Sequence, residues 1–355
     1  MMVKKKLAAA ALATVLAFGM TTTVLAHDGW SQTNAPIIAQ GEVSYVDLLL
    51  GNHSNHHKSY RIAGQWSTDS SKVFVTTPAG KKVDITGTRF YTGEAATDTE
   101  PALNNGFIAS FSSSSPGAYI ISVEGDSVFK HGEVASRTLR SAKSFVAVSD
   151  IPTLDRVKAL TGFSKAVNDD RAELIPQFNP AAVTPNGKVS VQLLLKGSPL
   201  ADAEVSLIRR SNSEAHTFTT DAQGKISFTT GQADFYLLRA KPNTDEKKDG
   251  EYGTTNYEAT MTFMVQNGSV KLPSSTVNPV PYIYVNGKIV DAPSVEIKVG
   301  STYVNASFVK EYLDASYTGA GSVTLRSAAE NIGATVEFLP AVGDTRAAVL
   351  IYTKE

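Results

Sequence analysis

The sequence predicts a mainly β protein: two tandem β-sandwiches followed by a small α+β domain. Three observations carry this. Short apolar runs broken by Gly- and Pro-containing turns recur through residues 27–265. No helical periodicity precedes about residue 150. After the Asn-, Ser- and Pro-rich stretch Gln266–Pro281, strands are joined by a helical pattern. At 355 residues and 42% hydrophobic, the chain exceeds one typical domain and can fill more than one core.

Residues 1–26 read as a secretory signal. Lys4, Lys5 and Lys6 form a basic start, and Leu7–Met20 is apolar. Val24 and Ala26 place small residues at a cleavage site. The apolar run is shorter than the ~20 residues that span a bilayer, and no later segment is apolar enough to do so. The expected mature product begins at His27, is soluble and lies outside the cytoplasm, secreted or at the cell surface.

The first sandwich is expected over 27–150. Its strands are Val43–Leu50, Lys72–Thr76, Lys82–Ile85, Phe107–Phe111, Ala118–Val123 and Ser144–Val148, with turns at Pro78-Ala79-Gly80 and Pro116-Gly117. A connector follows over 151–168. There Leu154, Val157, Leu160 and Phe163 have helical spacing and predict one helix across Pro152–Lys165. The second sandwich, 169–265, is built from Lys188–Leu195, Ala203–Ile208, Lys225–Phe228, Phe235–Ala240 and Ala259–Val265. Polar Lys241–Thr255 is expected to be an exposed loop. Residues 266–281 form the linker.

In the third domain, 282–355, Asn286-Gly287 between Tyr282–Val285 and Lys288–Val290 predicts a type I′ hairpin. Leu325, Ala328, Ala329 and Ile332 predict a helix capped by Gly333. Thr335–Leu339 and Ala347–Tyr352 are the final strands.

Composition excludes several function classes. Formal charge is −1, and loss of residues 1–26 takes the basic count from 33 to 30 against 34 acids, a net of −4. No basic surplus suggests a nucleic-acid partner. The absence of cysteine excludes disulfides, thiolate metal sites, iron–sulfur clusters and cysteine nucleophiles. There is no His-Glu-x-x-His motif and no Gly-x-Ser-x-Gly elbow. Gly319-Ala320-Gly321 lacks the third glycine of a dinucleotide loop. No enzyme activity is expected.

Four of the six histidines fall near the expected new terminus: His27, His53, His56 and His57. A free α-amino group on His27 and its imidazole can chelate one metal, and a histidine from the Gly51–Lys58 segment would add a further nitrogen. Such ligands suit Cu, Ni or Zn. Asp28 and Asp47 are candidate carboxylates beside it. The alternative is a solvated loop with no specific site. Trp30 and Trp66 are expected to anchor cores.

Several motifs in order suggest relatives. These are His27-Asp28-Gly29-Trp30, Gly41-Glu42 leading into Tyr45–Leu50, Gly51-Asn52-His53, Glu173-Leu174-Ile175-Pro176, Lys196–Ala203 and Thr220–Gly224. On these, residues 27–265 resemble the secreted family called domain of unknown function 4198. That resemblance implies a relation to accessory subunits of nickel and cobalt uptake systems. The last two blocks also look like transthyretin-like modules, so the sandwiches are expected to be immunoglobulin-like or transthyretin-like. Tyr284-Val285-Asn286-Gly287-Lys288 and Thr324–Glu337 resemble the copper-amine-oxidase-type amino-terminal domain of surface proteins. That implies display or attachment, with neither copper nor catalysis. Val309–Ser322 is longer than the pattern.

The leading expectation is therefore a secreted, non-catalytic Ni-, Co- or Cu-binding protein that assists metal uptake or sequestration, with a metal-uptake transporter as partner. The alternative is a structural or adhesive module of the cell surface that binds wall glycan or protein. A third reading, oxidative polysaccharide cleavage at the amino-terminal histidine, lacks the expected flat aromatic face.

Overall fold

The computed structural model describes residues 28–52, 61–64, 66–94, 97–100, 106–131, 133–268, 280–290, 295–342 and 345–354. It is mainly β, with 52% strand and 8% helix arranged in several sheets. Among the described residues no helix is long and apolar enough to cross a membrane.

The first unit packs two sheets face to face. Its strands are β1 (Asp28–Gln32), β2 (Ile37–Ala39), β3 (Val43–Asn52), β4 (Arg61–Gly64), β5 (Ser71–Thr76), β6 (Lys82–Asp84), β7 (Phe90–Tyr91), β8 (Phe107–Ser112), β9 (Gly117–His131) and β10 (Val134–Ser149). One sheet runs β1-β3-β8-β7, with β4 on β3. Alternation along β3 turns Val46 and Leu48 inward. They meet Val73, Val75, Tyr119, Ile121, Val123, Val146 and Val148 from the opposite sheet.

The second unit comprises β11 (Ala172–Pro176), β12 (Lys188–Leu195), β13 (Ser198–Pro199), β14 (Glu204–Arg209), β15 (Ala215–Thr219), β16 (Lys225–Thr229), β17 (Asp234–Ala240), β18 (Asn243–Thr244) and β19 (Thr254–Val265). It joins the first through its own sheet. Ser136–Lys143 of β10 pairs in parallel with Thr254–Met261 of β19, and the two units share one ten-stranded sheet.

The connector departs from expectation. The helix expected over Pro152–Lys165 is a single turn, α1 (Leu154–Val157). In a continuing helix the Thr161 N–H would bond to the Val157 carbonyl. Instead Thr161 N donates to the Glu337 carboxylate at 2.8 Å, and the Val157 oxygen accepts from Asn179 Nδ2 at 2.8 Å. Tertiary partners replace the helical ones. Val157, Leu160 and Phe163 still reach the core.

The third unit has β20 (Tyr282–Val285), β21 (Lys288–Val290), β22 (Glu296–Lys298), β23 (Ser301–Asn305), α2 (Ala306–Phe308), β24 (Ser322–Thr324), α3 (Leu325–Asn331), β25 (Thr335–Leu339) and β26 (Ala348–Tyr352). A turn of π-helix, Val309–Leu313, follows α2. The expected hairpin is present, with Asn286 and Gly287 at φ 49° and 80°. Gly333, at φ 70°, ends α3: its N–H bonds to the Glu330 oxygen, and Ala334 N bonds to that of Ala329. The core of the second unit continues into this one through Tyr284, Leu339, Ala348, Leu350 and Tyr352. Most of the linker, 269–279, lies outside the described residues.

Candidate functional site

The expected metal site centres on the start of β1. His27, His53, His56 and His57 lie outside the described residues. Asp28 is described. Its register partner across the β1–β3 ladder is Gly51, so the chain before Asp28 and the chain after Asn52 attach at neighbouring positions. Among the described residues no group of three His, Cys, Asp or Glu side chains is placed to hold a metal. His216 is exposed on β15, 3.4 Å from Glu214 Oε1.

Every residue of β1 is buried although Asp-Gly-Trp-Ser-Gln is largely polar. The Asp28 carboxylate and the backbone of Gly29 and Ser31 find partners on β17 and β19 and just beyond β17, whereas the Ser31 hydroxyl and Gln32 Oε1 are buried without a hydrogen-bond partner among the described residues. Arg239 Nη1 lies 2.7 Å from Asp28 Oδ2, and Lys241 Nζ pairs with Oδ1. Gly29 N donates to Glu258 Oε1 at 2.6 Å, and Arg140 Nε sits 3.2 Å from Glu258 Oε2. The hydroxyls of Thr260 and Thr262 donate to the carbonyls of Gly29 and Ser31 at 2.7 and 2.6 Å. Trp66 closes the other side, its indole N–H donating to the Leu49 oxygen at 2.9 Å. A Cβ on Gly29 would run into the Trp66 ring, so only glycine fits.

This cluster joins two carboxylates to three cations, and the two acids respond differently. Burial alone would raise the pKa of Asp28, but Lys241 and Arg239 outweigh it and hold the acid below its ordinary 3.8. Burial dominates at Glu258 and raises it, with Arg140 and Lys241 opposing and Asp28 adding repulsion. Asp28 is thus engaged as an ion-pair partner. Asp47, the other candidate carboxylate, is raised by burial against the opposing charge of Arg210. Trp30 and Trp66 are core residues as expected.

Sequence reasoning missed two further buried charge centres. Lys143 Nζ lies 2.6 Å from Glu173 Oε1, and both side chains are 1% exposed. Glu173 also accepts from Val167 N at 2.9 Å, which fixes the connector onto the shared sheet. Near the third unit, Arg156 grips Asp150 in two-pronged fashion at 2.7 and 3.0 Å and donates to the carbonyls of Leu339 and Pro340.

Sequence reasoning also missed a solvent-open cleft of about 370 Å³ in the third unit. Ser301 and Thr302 of β23 form one wall. Thr324 and Arg326, at the start of α3, form another, and Val336 and Phe338 of β25 form an apolar side. Phe338 is 41% exposed. Arg326 pairs with Glu330 at 3.4 Å, both well solvated.

The family model described as domain of unknown function (DUF4198) matches residues 24–243. The chain belongs to this family. No curated protein matches it. Among solved structures, a DUF4785 family protein from Legionella pneumophila is 12% identical, with 65% of this chain and 54% of that one aligned at a TM-score of 0.20. This DUF4198 chain thus spans about half that protein's length. A 1.5-MDa bacterial ice-binding adhesin is 14% identical over 92% of this chain and 96% of that one, at 0.21. A Ca²⁺-stabilized adhesin of an Antarctic bacterium is 15% identical over 92% and 73%, at 0.20. Superpositions this loose carry nothing about what the present chain binds.

Proposed function

We propose that this DUF4198 protein is a non-catalytic module of the cell surface that attaches to wall glycan, with its third unit serving display or attachment. The observation that supports this reading is continuity. Two sandwiches share a ten-stranded sheet, and their core runs on into β25 and β26. The buried ion pairs Asp28–Arg239, Glu258–Arg140 and Lys143–Glu173 bind segment to segment. A scaffold suits a load-bearing or presenting role. Sedimentation with purified bacterial cell walls tests it. The mature protein is expected in the wall pellet, and a protein left wholly in the supernatant overturns the reading.

A second reading keeps the metal. What supports it is the Asp28–Gly51 register, from which both histidine-bearing segments depart. Ni, Co or Cu would then be held by His27 with His53, His56 or His57, in line with the nickel and cobalt relation that the resemblance implies. Calorimetric titration of a protein beginning at His27 with Cu(II), Ni(II) and Co(II) decides. One tight site lost in both His27→Ala and His53→Ala supports it. Weak multi-site heat in all three proteins ends it.

A further inference from the structure

The geometry points to the cleft between β23, α3 and β25 as a binding site for one acidic pyranose residue of a glycan chain. This rests on the wall-attachment reading above and assigns it a place.

Four features of the cleft argue for such a ligand. Its volume, about 370 Å³, lies at the small end for ligand sites and suits one sugar ring better than an oligosaccharide. It opens to solvent, so a polymer can leave on either side of the bound ring. Phe338, on its apolar side, is 41% exposed. An aromatic face of this kind packs against the C–H face of a pyranose, as it does against other apolar surfaces. Ser301 and Thr302 also line the cleft; they are consecutive on β23, so alternation turns one of the two hydroxyls toward it, a hydrogen-bond donor and acceptor suited to a sugar hydroxyl.

The charge of the cleft supplies the preference for an acid. Two lining residues are charged, Arg326 and Glu337. Residues alternate along β25, and the Glu337 carboxylate turns to the far face, where it accepts from Thr161 N at 2.8 Å. Arg326 therefore sets the sign. Its present partner, Glu330, is 3.4 Å away in solvent. A pair of that kind contributes little, so exchange for a ligand carboxylate costs little. A guanidinium also matches a carboxylate with two parallel hydrogen bonds.

The test uses the whole mature protein and two soluble probes. One is peptide-free glycan strands of alternating N-acetylglucosamine and N-acetylmuramic acid, which carry carboxylates. The other is a neutral chitooligosaccharide of equal length. Wild type is expected to bind the acidic strands at least tenfold tighter than the neutral ones, with the preference shrinking as salt rises. Phe338→Ala is expected to weaken both at least tenfold, whereas Phe338→Tyr, which keeps the ring, retains binding. Arg326→Gln is expected to abolish the preference and its salt dependence. Wild-type binding that Phe338→Ala and Arg326→Gln both leave intact overturns the cleft while wall attachment stands. A wild type that sediments with walls but prefers the neutral probe overturns the acidic assignment. A wild type that neither sediments nor binds overturns both readings.

Discussion

Two buried carboxylates sit at the two seams of the molecule, Asp28 between the sandwiches and Glu337 between the connector and the third unit. Both lie on strands and both are nearly excluded from water. Asp28 faces two cations and is pulled below its ordinary pKa. Glu337 faces backbone N–H groups of Thr161 and Gly162; burial dominates and pushes its pKa up, with Lys165 and Arg326 opposing. The same chemical group is thus held below its ordinary pKa by ion pairs at one seam and raised above it by burial at the other. The partners decide which: the paired charges of Lys241 and Arg239 outweigh desolvation at Asp28, whereas backbone N–H groups with the opposing charges of Lys165 and Arg326 do not at Glu337.

The largest expected effect tests whether charge ties hold the first seam. Lys143→Met leaves Glu173 buried without its cation and should cost about 3–5 kcal/mol in urea unfolding. Adding Glu173→Leu should recover most of that loss, because the double variant buries no charge. A double variant no better than the single one would show that packing, not charge, is decisive there.

Asp28→Asn comes next. Arg239 and Lys241 reach solvent, at 18% and 30% side-chain exposure, so the loss is smaller, about 2–3 kcal/mol at pH 7. The folded pKa is lowered, so the contribution of Asp28 is complete above its ordinary 3.8 and disappears as pH falls through the folded value. The variant should therefore lose stability at neutral pH and converge on wild type in strong acid. Parallel stability curves down to the acid limb would sink this assignment.

Gly29→Ala probes the same seam by shape. The added methyl meets the Trp66 ring, and overpacking of this kind costs about 1–3 kcal/mol. The loss should appear in thermal melts without any change in pH dependence.

Glu337→Gln, at the second seam, should be the mildest. The amide oxygen can still accept from Thr161, and no buried charge remains. Because the wild-type pKa is raised, its stabilising contribution is full below the ordinary 4.5 and is lost as pH rises through the folded value. The variant should match wild type near pH 4 and equal or exceed it at pH 7. A clear loss at pH 7 would mean the ionised carboxylate is needed.

Much of the architecture was legible. The alternation of Lys188–Leu195 marked β12 to the residue, and Asn286-Gly287 and Gly333 marked a turn and a cap. These signals are local. What escaped depends on distant partners. Asp28–Gln32 looks too polar for a buried strand until Arg239 and Lys241 pair with Asp28 and Thr260, Thr262 and Glu258 bond to the backbone of Gly29 and Ser31. The outer halves of β9 and β10 carry charged and polar residues, and the parallel pairing of β10 with β19 has no sequence signature. The connector kept its apolar spacing but lost its helix to Asn179 and Glu337. Of the expected site residues, the carboxylates Asp28 and Asp47 lie among the described residues and the four histidines do not. The cleft draws on residues from 300 to 349, and its one sequence clue is the phenylalanine on the outward side of Thr335–Leu339.

The burial of β1 also sets a schedule. The bond from Thr260 to Gly29 spans 231 residues. A chain that emerges amino-terminus first exposes Asp28–Gln32 long before Arg239, Glu258, Thr260 or Thr262 exist to receive it. Closing so long a loop is slow, and proteins rich in such distant contacts fold slowly. The first strand to emerge is therefore among the last to dock, and until then the edge of β3 that it covers stays open to other strands.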